Sequence, residues 1–581
     1  MPQFDGHFWF AHLRYELRRY LVNSAIRPLH AHGGSMVKDR VPPFARLLVA
    51  ILLSFCALMP AGTTASGQSP WGARKPKLVV ILVIDQLRYD YLERFRPQMV
   101  EGGFKRLLGG ANFVNCRYDY AVVFTCPGHA SLFTGAYSNV HGVIGNEWFD
   151  ASRGRKVYCV EDADTKQVGG SAGPGYSPRN LIGSTIGDEL RIASGFQSRV
   201  IAISLKDRSA VVPGGHTANA AYWYDGESGQ FVTSSYYMPE LPAWVSHFNS
   251  AEPAKAYCGK PWQALPETPQ AGGKVLRQAY LDPSQRCPNR DFFAWLRNSP
   301  FMNAIELGFA SQAIKNEGLG QRSATDLLAI SLSVNDSIGH AFGPYSDEVA
   351  DTTLRTDRDL ADFLGELDKM IGLDNVWIAL SADHGAAPTP KFIKEHHLGL
   401  GNGVTSALRD AVEKVLSQSY GPDQWVQDIT SFCVTLNKST LKKHQAEEST
   451  VSALAAEAAS SVPGVSAAFT RTQVLTGTLP RSPLGRKATN SFNGQRSGDV
   501  FLILDPYALP VAGETGSSHG APWSYDTQVP LVLWGTAFKP GIYATPCEPI
   551  DLAPTLAVAL GLTQPSGAQG KPLTAALKYV Q

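Results

Sequence analysis

Six residues able to ligate a divalent cation fall at four places along this chain. They are Asp85 in VIDQ, Asp336 and His340 in NDSIGHAFGP, Asp383 and His384 in SADHG, and His519 in SSHGAPW. Three carboxylates and three imidazoles supply enough oxygen and nitrogen donors for two zinc ions that keep open positions. The i, i+4 spacing of Asp336 and His340 puts both side chains on one face wherever that segment is helical. Taken singly, each motif is commonplace, since an Asp at a strand end often only caps the next helix. A different kind of chemistry is offered by VVFTCPGHASLFTG (122–135), which sets Thr125 and Cys126 side by side, and either could serve as a nucleophile.

The elements around these residues decide whether they can meet. Four apolar runs predict buried parallel strands: KLVVILVID (77–85), SRVIAISL (198–205), DLLAISLSVND (326–336) and NVWIALSADHG (375–385), with DVFLILDP (499–506) and VPLVLWG (529–535) following later. Helical patterns between them, such as ADFLGELDKMIG (361–372), predict an α/β fold with a mostly parallel central sheet and helices on both faces. Ligands of such sheets bind beyond the carboxyl ends of the strands. Those ends carry Asp85, Lys206, Asp336 and the pair Asp383 and His384, so four charged strand tips point to one site. Residues about 209–300, rich in Tyr, Trp, Pro, Gly and Ser, and 390–495, with separate helical stretches, read as insertions that cap the sheet. KEHHLG (394–399) reads as surface or cap.

The 581 residues are 44% hydrophobic and 18% charged, with a formal net charge of +1. That composition is globular, and its charge gives no global field for nucleic acid, so any anion site must be local. The run LLVAILLSFCALMPA (47–61) is short for a membrane span, follows Lys38, Arg40 and Arg46, and precedes GTTASG. It reads as a secretory signal within residues 1–67, with Met36 as the start and cleavage near Ala65. The alternative is a retained N-terminal anchor; on the signal reading the remainder, 68–581, is expected to be exported to the periplasm or secreted. Seven cysteines follow the signal. Their odd number leaves at least one unpaired, and Cys258 with Cys287 is the expected bridge. No CxxC pair, GxxxxGK[ST] or strand-borne GxGxxG element is present, which argues against a zinc ribbon and against nucleotide-driven phosphoryl transfer.

The ordered series Asp85, FTCPGHASLFTG, GNEWFD, DSIGH, SADHG and SHG resembles the alkaline phosphatase superfamily, and most of all the phosphate-irrepressible alkaline phosphatases of bacterial periplasms. The resemblance covers about residues 77–565 and implies an alkaline-phosphatase-like fold. Sulfatases of that superfamily carry a nucleophile-x-Pro-x-Arg pattern. Here Pro127 places Thr125 in the nucleophile slot, with Cys126 at the variable position and His129 where the arginine would stand. Thr125 is therefore the expected nucleophile, and Cys126 a small buried apolar neighbour. The resemblance assigns Asp85, Asp383 and His384, with Thr125, to one zinc, and Asp336, His340 and His519 to a second, which activates water in the hydrolytic half-reaction.

Asn146 in GNEWFD, and Lys206 and Arg208 in SLKDRSA, match positions that contact phosphoryl oxygens in the phosphate-irrepressible enzymes. A monoester carries nearly two negative charges, so extra cationic donors favour it over a diester. The expected activity is that of an exported two-zinc phosphate monoester hydrolase acting through a phosphothreonine. It works as a monomer on small-molecule monoesters, with no nucleic-acid partner and no stable membrane partner once the signal is removed. The rival readings are a phosphodiesterase or nucleotide pyrophosphatase on the same metal scaffold, and a secreted zinc- or phosphate-binding protein without turnover. A sulfatase is disfavoured because the cysteine is one place out of frame.

Overall fold

The computed structural model describes residues 74–281, 286–399, 404–508 and 513–578. The expected signal segment, with Met36 and Ala65, lies outside the described residues. Strand β1 (Leu78–Ile84) reads LVVILVI, seven buried residues in succession. An unbroken apolar run needs cover on both faces, and it has it. Leu78, Val80, Leu82 and Ile84 enter one core, whereas Val79, Ile81 and Val83 enter another.

The chain continues through α1 (Thr125–Thr134), β2 (Val200–Ser204), α2 (Asp207–Gly214), β3 (Ala220–Asp225), α3 (Phe301–Glu317), β4 (Asp326–Leu332), α4 (Val334–Phe342), α5 (Asp347–Ile371) and β5 (Val376–Ser381). Strands β5, β1, β4, β2 and β3 lie side by side in that order, all parallel, in the middle of an eleven-stranded sheet. Helices α3 and α5 contribute to the core on one face, and α1 and α2 to the core on the other. This is the mostly parallel α/β sheet expected from the sequence. Leu78 pairs with both Asp326 and Val376, so β1, β4 and β5 are in step and their carboxyl ends finish level.

Two strands differ from expectation. DVFLILDP was expected beside the other apolar runs, yet its strand lies in a second sheet built from a different part of the chain. That sheet follows α6 (Thr405–Tyr420) and contains β6 (Val426–Thr430), β7 (Cys433–Leu436), β8 (Val465–Thr470) and β9 (Val500–Leu504), with α7 (Glu448–Ser460) between β7 and β8. It is antiparallel, ordered β6-β7-β9-β8, and buries a core of its own. VPLVLWG forms β10 (Leu531–Trp534), which returns to the large sheet but runs antiparallel to β5. A short run buried on both faces looks the same in either direction and in either sheet. Of the first expected insertion, α2, β3 and the strand Gln230–Ser234 lie in the layers of the large sheet. Among the described residues, no helix is long and apolar enough to cross a membrane.

Candidate active site

The level strand ends bring the charged tips together. Asp85 follows β1 directly, and Asp383 and His384 follow β5. The strand expected to reach Asp336 stops at Leu332, and α4 starts at Val334. Asp336 thus sits in the first turn of a helix and His340 one turn later, with His340 Nε2 3.1 Å from Asp336 Oδ1. His519 arrives on the loop before β10, its ring stacked on that of His384 at 3.5 Å.

Helix α1 delivers Thr125 as its first residue, and every residue of that helix is buried. The helix can lie this close to β5 because residue 128 is glycine, where a Cβ would come within 2.3 Å of the Asp383 carbonyl oxygen. Thr125 Oγ1 is 3.3 Å from His384 Nε2. Around the same Nε2 stand Asp85 Oδ1 and Asp383 Oδ2, each at 3.3 Å. His129, in the place of the sulfatase arginine, turns inward. Its Nδ1–H donates to the Thr125 carbonyl at 2.9 Å, and its Nε2 meets Ser331 Oγ at 2.8 Å.

The donor chemistry fits metal ions. The Nδ1–H of each expected histidine ligand donates to a backbone carbonyl: His340 to Ser517 at 2.8 Å, His384 to Gly385 at 2.9 Å and His519 to Val123 at 2.9 Å. That fixes the rings with Nε2 free to face the site, the usual way a ligating imidazole is oriented. Asp85 Oδ1 and Asp383 Oδ2 are buried and accept no hydrogen bond, an expensive state unless a cation faces them. Ligand atoms of Asp85, Asp383 and His384 lie within 4.8 Å of one another, and so do those of Asp336, His384 and His519. His384 therefore stands at the junction of the two sets.

Electrostatics follow from this crowding. Burial opposes a charged His384, yet the Asp383 and Asp85 carboxylates push its pKa up to about 9. Burial and the neighbouring His384 instead hold His519 well below the usual histidine range. Against burial, His340 and Lys206 hold Asp336 well down. Lys206 Nζ reaches Asp85 Oδ2 and Asp336 Oδ2, both at 2.5 Å, so one ammonium ties together a carboxylate from each set. Arg208 donates from Nη1 to Tyr158 Oη at 3.2 Å while its buried Nε has no partner.

Asn146 approaches the nucleophile through the backbone, its Oδ1 accepting the Cys126 N–H at 2.8 Å. Cys126 is buried as expected, but its sulfur is not merely an apolar filler. It forms a disulfide with Cys159, 33 residues on, a pairing that spacing alone cannot reveal. The expected Cys258–Cys287 bridge is present, and Cys116, Cys433 and Cys547 are free and buried. His396 and His397 of KEHHLG are exposed, away from this cluster.

Sequence reasoning missed Gln86. Its backbone N–H donates to Asp383 Oδ1 at 3.2 Å and its Nε2 to Asp336 Oδ1 at 2.7 Å, so it braces both ligand sets. It does so from a left-handed backbone conformation, φ 64°, uncommon for a residue other than glycine. Asp526 was missed as well. Its Oδ2 accepts the N–H groups of Gly520 and Ala521, and its carbonyl accepts that of Gly385, joining the loops of His519 and His384. Neither residue stands in a spacing pattern that could have marked it.

A sheet of this kind, carrying an Asp/His cluster and a threonine at a buried helix start, defines a family. Residues 79–525 match the type I phosphodiesterase / nucleotide pyrophosphatase family, and the chain belongs to it, within the alkaline phosphatase superfamily and on its PafA-like side. It is 38% identical to alkaline phosphatase PhoV of Synechococcus elongatus, over 88% of this chain and 94% of that one. A protein of Myroides odoratus named calcium-transporting ATPase is 37% identical, over 87% and 95%. The crystal structure of alkaline phosphatase PafA, known from Elizabethkingia meningoseptica, superposes with a TM-score of 0.80 at 35% identity, over 87% of this chain and 99% of that one. A solved variant of PafA replaces a threonine, an asparagine, a lysine and an arginine. Their separations are those of Thr125 from Asn146 and of Lys206 from Arg208.

Proposed function

We propose that this chain is an exported, two-zinc alkaline phosphatase that hydrolyses small-molecule phosphate monoesters through a phosphothreonine at Thr125. The observation that carries this reading is the position of the Lys206 ammonium between Asp85 and Asp336, one carboxylate from each ligand set. Likeness to PhoV and PafA over most of each chain supports it. The two disulfides accord with an oxidising compartment, as does the apolar run after Lys38, Arg40 and Arg46.

Asp85, Asp383 and His384, with Thr125, would hold one ion, and Asp336, His340 and His519 the other. Zinc bound there would supply Lewis acidity and positive charge at the reacting oxygens. The chain itself must orient the phosphoryl group. Helix starts often cradle phosphate with free N–H groups, but α1 has few to offer. The Cys126 N–H is taken by Asn146, Pro127 has none, and the Gly128 N–H goes to the Phe124 carbonyl. The equatorial oxygens therefore depend on side chains: the Lys206 ammonium, the unpartnered Nε of Arg208 and the amide of Asn146. Thr125 Oγ1 attacks phosphorus in line as the ester oxygen leaves on the opposite side. Water then attacks the phosphothreonine, releasing phosphate and restoring the hydroxyl.

A phosphodiesterase or nucleotide pyrophosphatase is the second reading, favoured by the family that residues 79–525 match. The test is kcat/KM of zinc-loaded protein on an aryl phosphate monoester and on the matching diester. Preference for the monoester, abolished in Thr125→Ala with zinc retained, supports the proposal, and preference for the diester overturns it in favour of the second reading.

A further inference from the structure

The turn that closes the β6–β7 hairpin is built from the wrong residues for its shape. Thr430 pairs with Cys433, so Ser431 and Phe432 are the two turn residues, and both have positive φ, 50° and 58°. Two-residue hairpin turns of that hand favour Asn-Gly, and a bulky side chain there is an outlier. Strain of this kind persists only where the surroundings enforce it, and it clusters at functional sites.

The surroundings here are those of the reaction centre. Ser431 Oγ–H donates to the carbonyl of Glu147 at 2.6 Å, so the hairpin tip rests on the residue after Asn146. The Phe432 ring stacks on Phe124, the residue before Thr125, at 5.5 Å between centroids and 24° between planes. Phe124 in turn presents its face or edge to His519 at 5.7 Å and 75°. Its ring lies over Gly520, where a Cβ would come within 2.5 Å. Both phenylalanines are only partly buried, which leaves aromatic surface beside the His519 side of the cluster.

In-line displacement sends the leaving oxygen away from Thr125, on the side of Asp336, His340 and His519. On the ligand assignment proposed above, the organic group attached to that oxygen would pass His519, which Phe124 meets at 5.7 Å with Phe432 stacked behind it. Resting on the monoesterase reading above, we infer that these two rings form a stacking platform for the leaving group. The preferred substrates are then monoesters whose leaving alcohol carries a planar aromatic ring, whether a phenol or the base of a nucleoside. Rings 5.5 Å apart leave no slot between them, so the substrate ring packs on the partly exposed surface of the pair.

The experiment compares an aryl phosphate with a fluoroalkyl phosphate whose leaving alcohol is of matched acidity, using full-length zinc-loaded protein and Phe432→Leu. Leucine keeps an apolar contact against Phe124 but removes the ring. The expected result is an aryl-to-alkyl ratio of kcat/KM that falls about tenfold, with a parallel loss in the ratio of inhibition constants for phenylphosphonate and methylphosphonate. Phe124→Leu should shift both ratios the same way. Ratios that stay within about twofold of the unsubstituted protein's overturn the inference, whether both rates fall together, as for a purely structural contact, or neither changes. A normal monoester rate in the unsubstituted protein with an unmoved ratio refutes the platform alone. Turnover of neither monoester by the unsubstituted protein refutes the monoesterase reading and the platform with it.

Discussion

Cys159 is joined by a disulfide to Cys126, the residue after the candidate nucleophile, and the bridge encloses Asn146. Asn146 accepts the Cys126 N–H through its side chain at 2.8 Å and the Cys159 N–H through its carbonyl at 2.9 Å. The staple thus fixes the amide proposed to hold a phosphoryl oxygen relative to Thr125, rather than only tightening the fold. Replacing both cysteines by alanine should lower stability by about 2–4 kcal/mol, the usual cost of opening a loop of this size. It should also lower kcat/KM on a monoester by about tenfold. In an Asn146→Ala background the cysteine replacements should cost stability but little further activity. A full additional loss in that background would show that the bridge acts independently of Asn146.

Gln86 holds Asp336 and Asp383 at once, and its side-chain amide shares Asp336 Oδ1 with His340 Nε2. Outer partners of ligating carboxylates typically change metal affinity by about 10- to 100-fold. Gln86→Ala should therefore weaken zinc retention by about that factor in competition with a chelator, while the thermal transition of metal-free protein moves little. A variant with unchanged zinc affinity would show that the ligands are oriented without Gln86.

His141 lies behind α1, fully buried, with Nδ1 accepting the Val143 N–H at 3.1 Å and Nε2 facing Ser131 Oγ at 3.2 Å. Burial and then Arg496 hold its pKa down to about 3. The unfolded chain takes up this proton near pH 6.5 and the folded one only near pH 3. Its contribution to stability is therefore intact above pH 6.5 and declines as pH falls through that window, by about 1.4 kcal/mol per unit. Between pH 7.5 and 4.5 the protein should lose about 3 kcal/mol more than His141→Gln does in denaturant titrations. Equal losses would place the acid sensitivity elsewhere.

The legible part of this molecule is the part in which chemistry and position coincide along the chain. β1 shows its double-sided burial as an unbroken apolar run, and the charged residue after it marks the sheet's carboxyl edge. Asp85, Asp336, Asp383 and His384 could be gathered on paper for that reason. What stayed hidden depends on the chain meeting itself. The partner of Cys126, the bracing role of Gln86 and the contact of Phe432 with Phe124 are set by approaches between segments 33 to about 300 residues apart. The strand Val500–Leu504 was readable as a strand but not as part of a second sheet, because a short apolar run carries no record of its neighbours.

Lys206 and Arg208 separate the two readings of the reaction. The phosphoryl group of a monoester presents more charge than that of a diester, so side-chain cations that hold it, as proposed for Lys206 and Arg208, should count for more with the monoester. Lys206 also neutralises Asp85 and Asp336, and its removal alone would disturb both ligand sets, whereas Arg208 contacts Tyr158 and carries a free buried Nε. Arg208→Ala is thus the cleaner probe. It should cut kcat/KM on an aryl monoester by about 100-fold and on the matching diester by less than about fivefold, with zinc content unchanged. Lys206→Ala should cut both, the monoester more, and should also loosen zinc. Equal losses on the two substrates in Arg208→Ala would mean that the guanidinium does not meet the phosphoryl oxygens and would move the chain towards the diesterase reading.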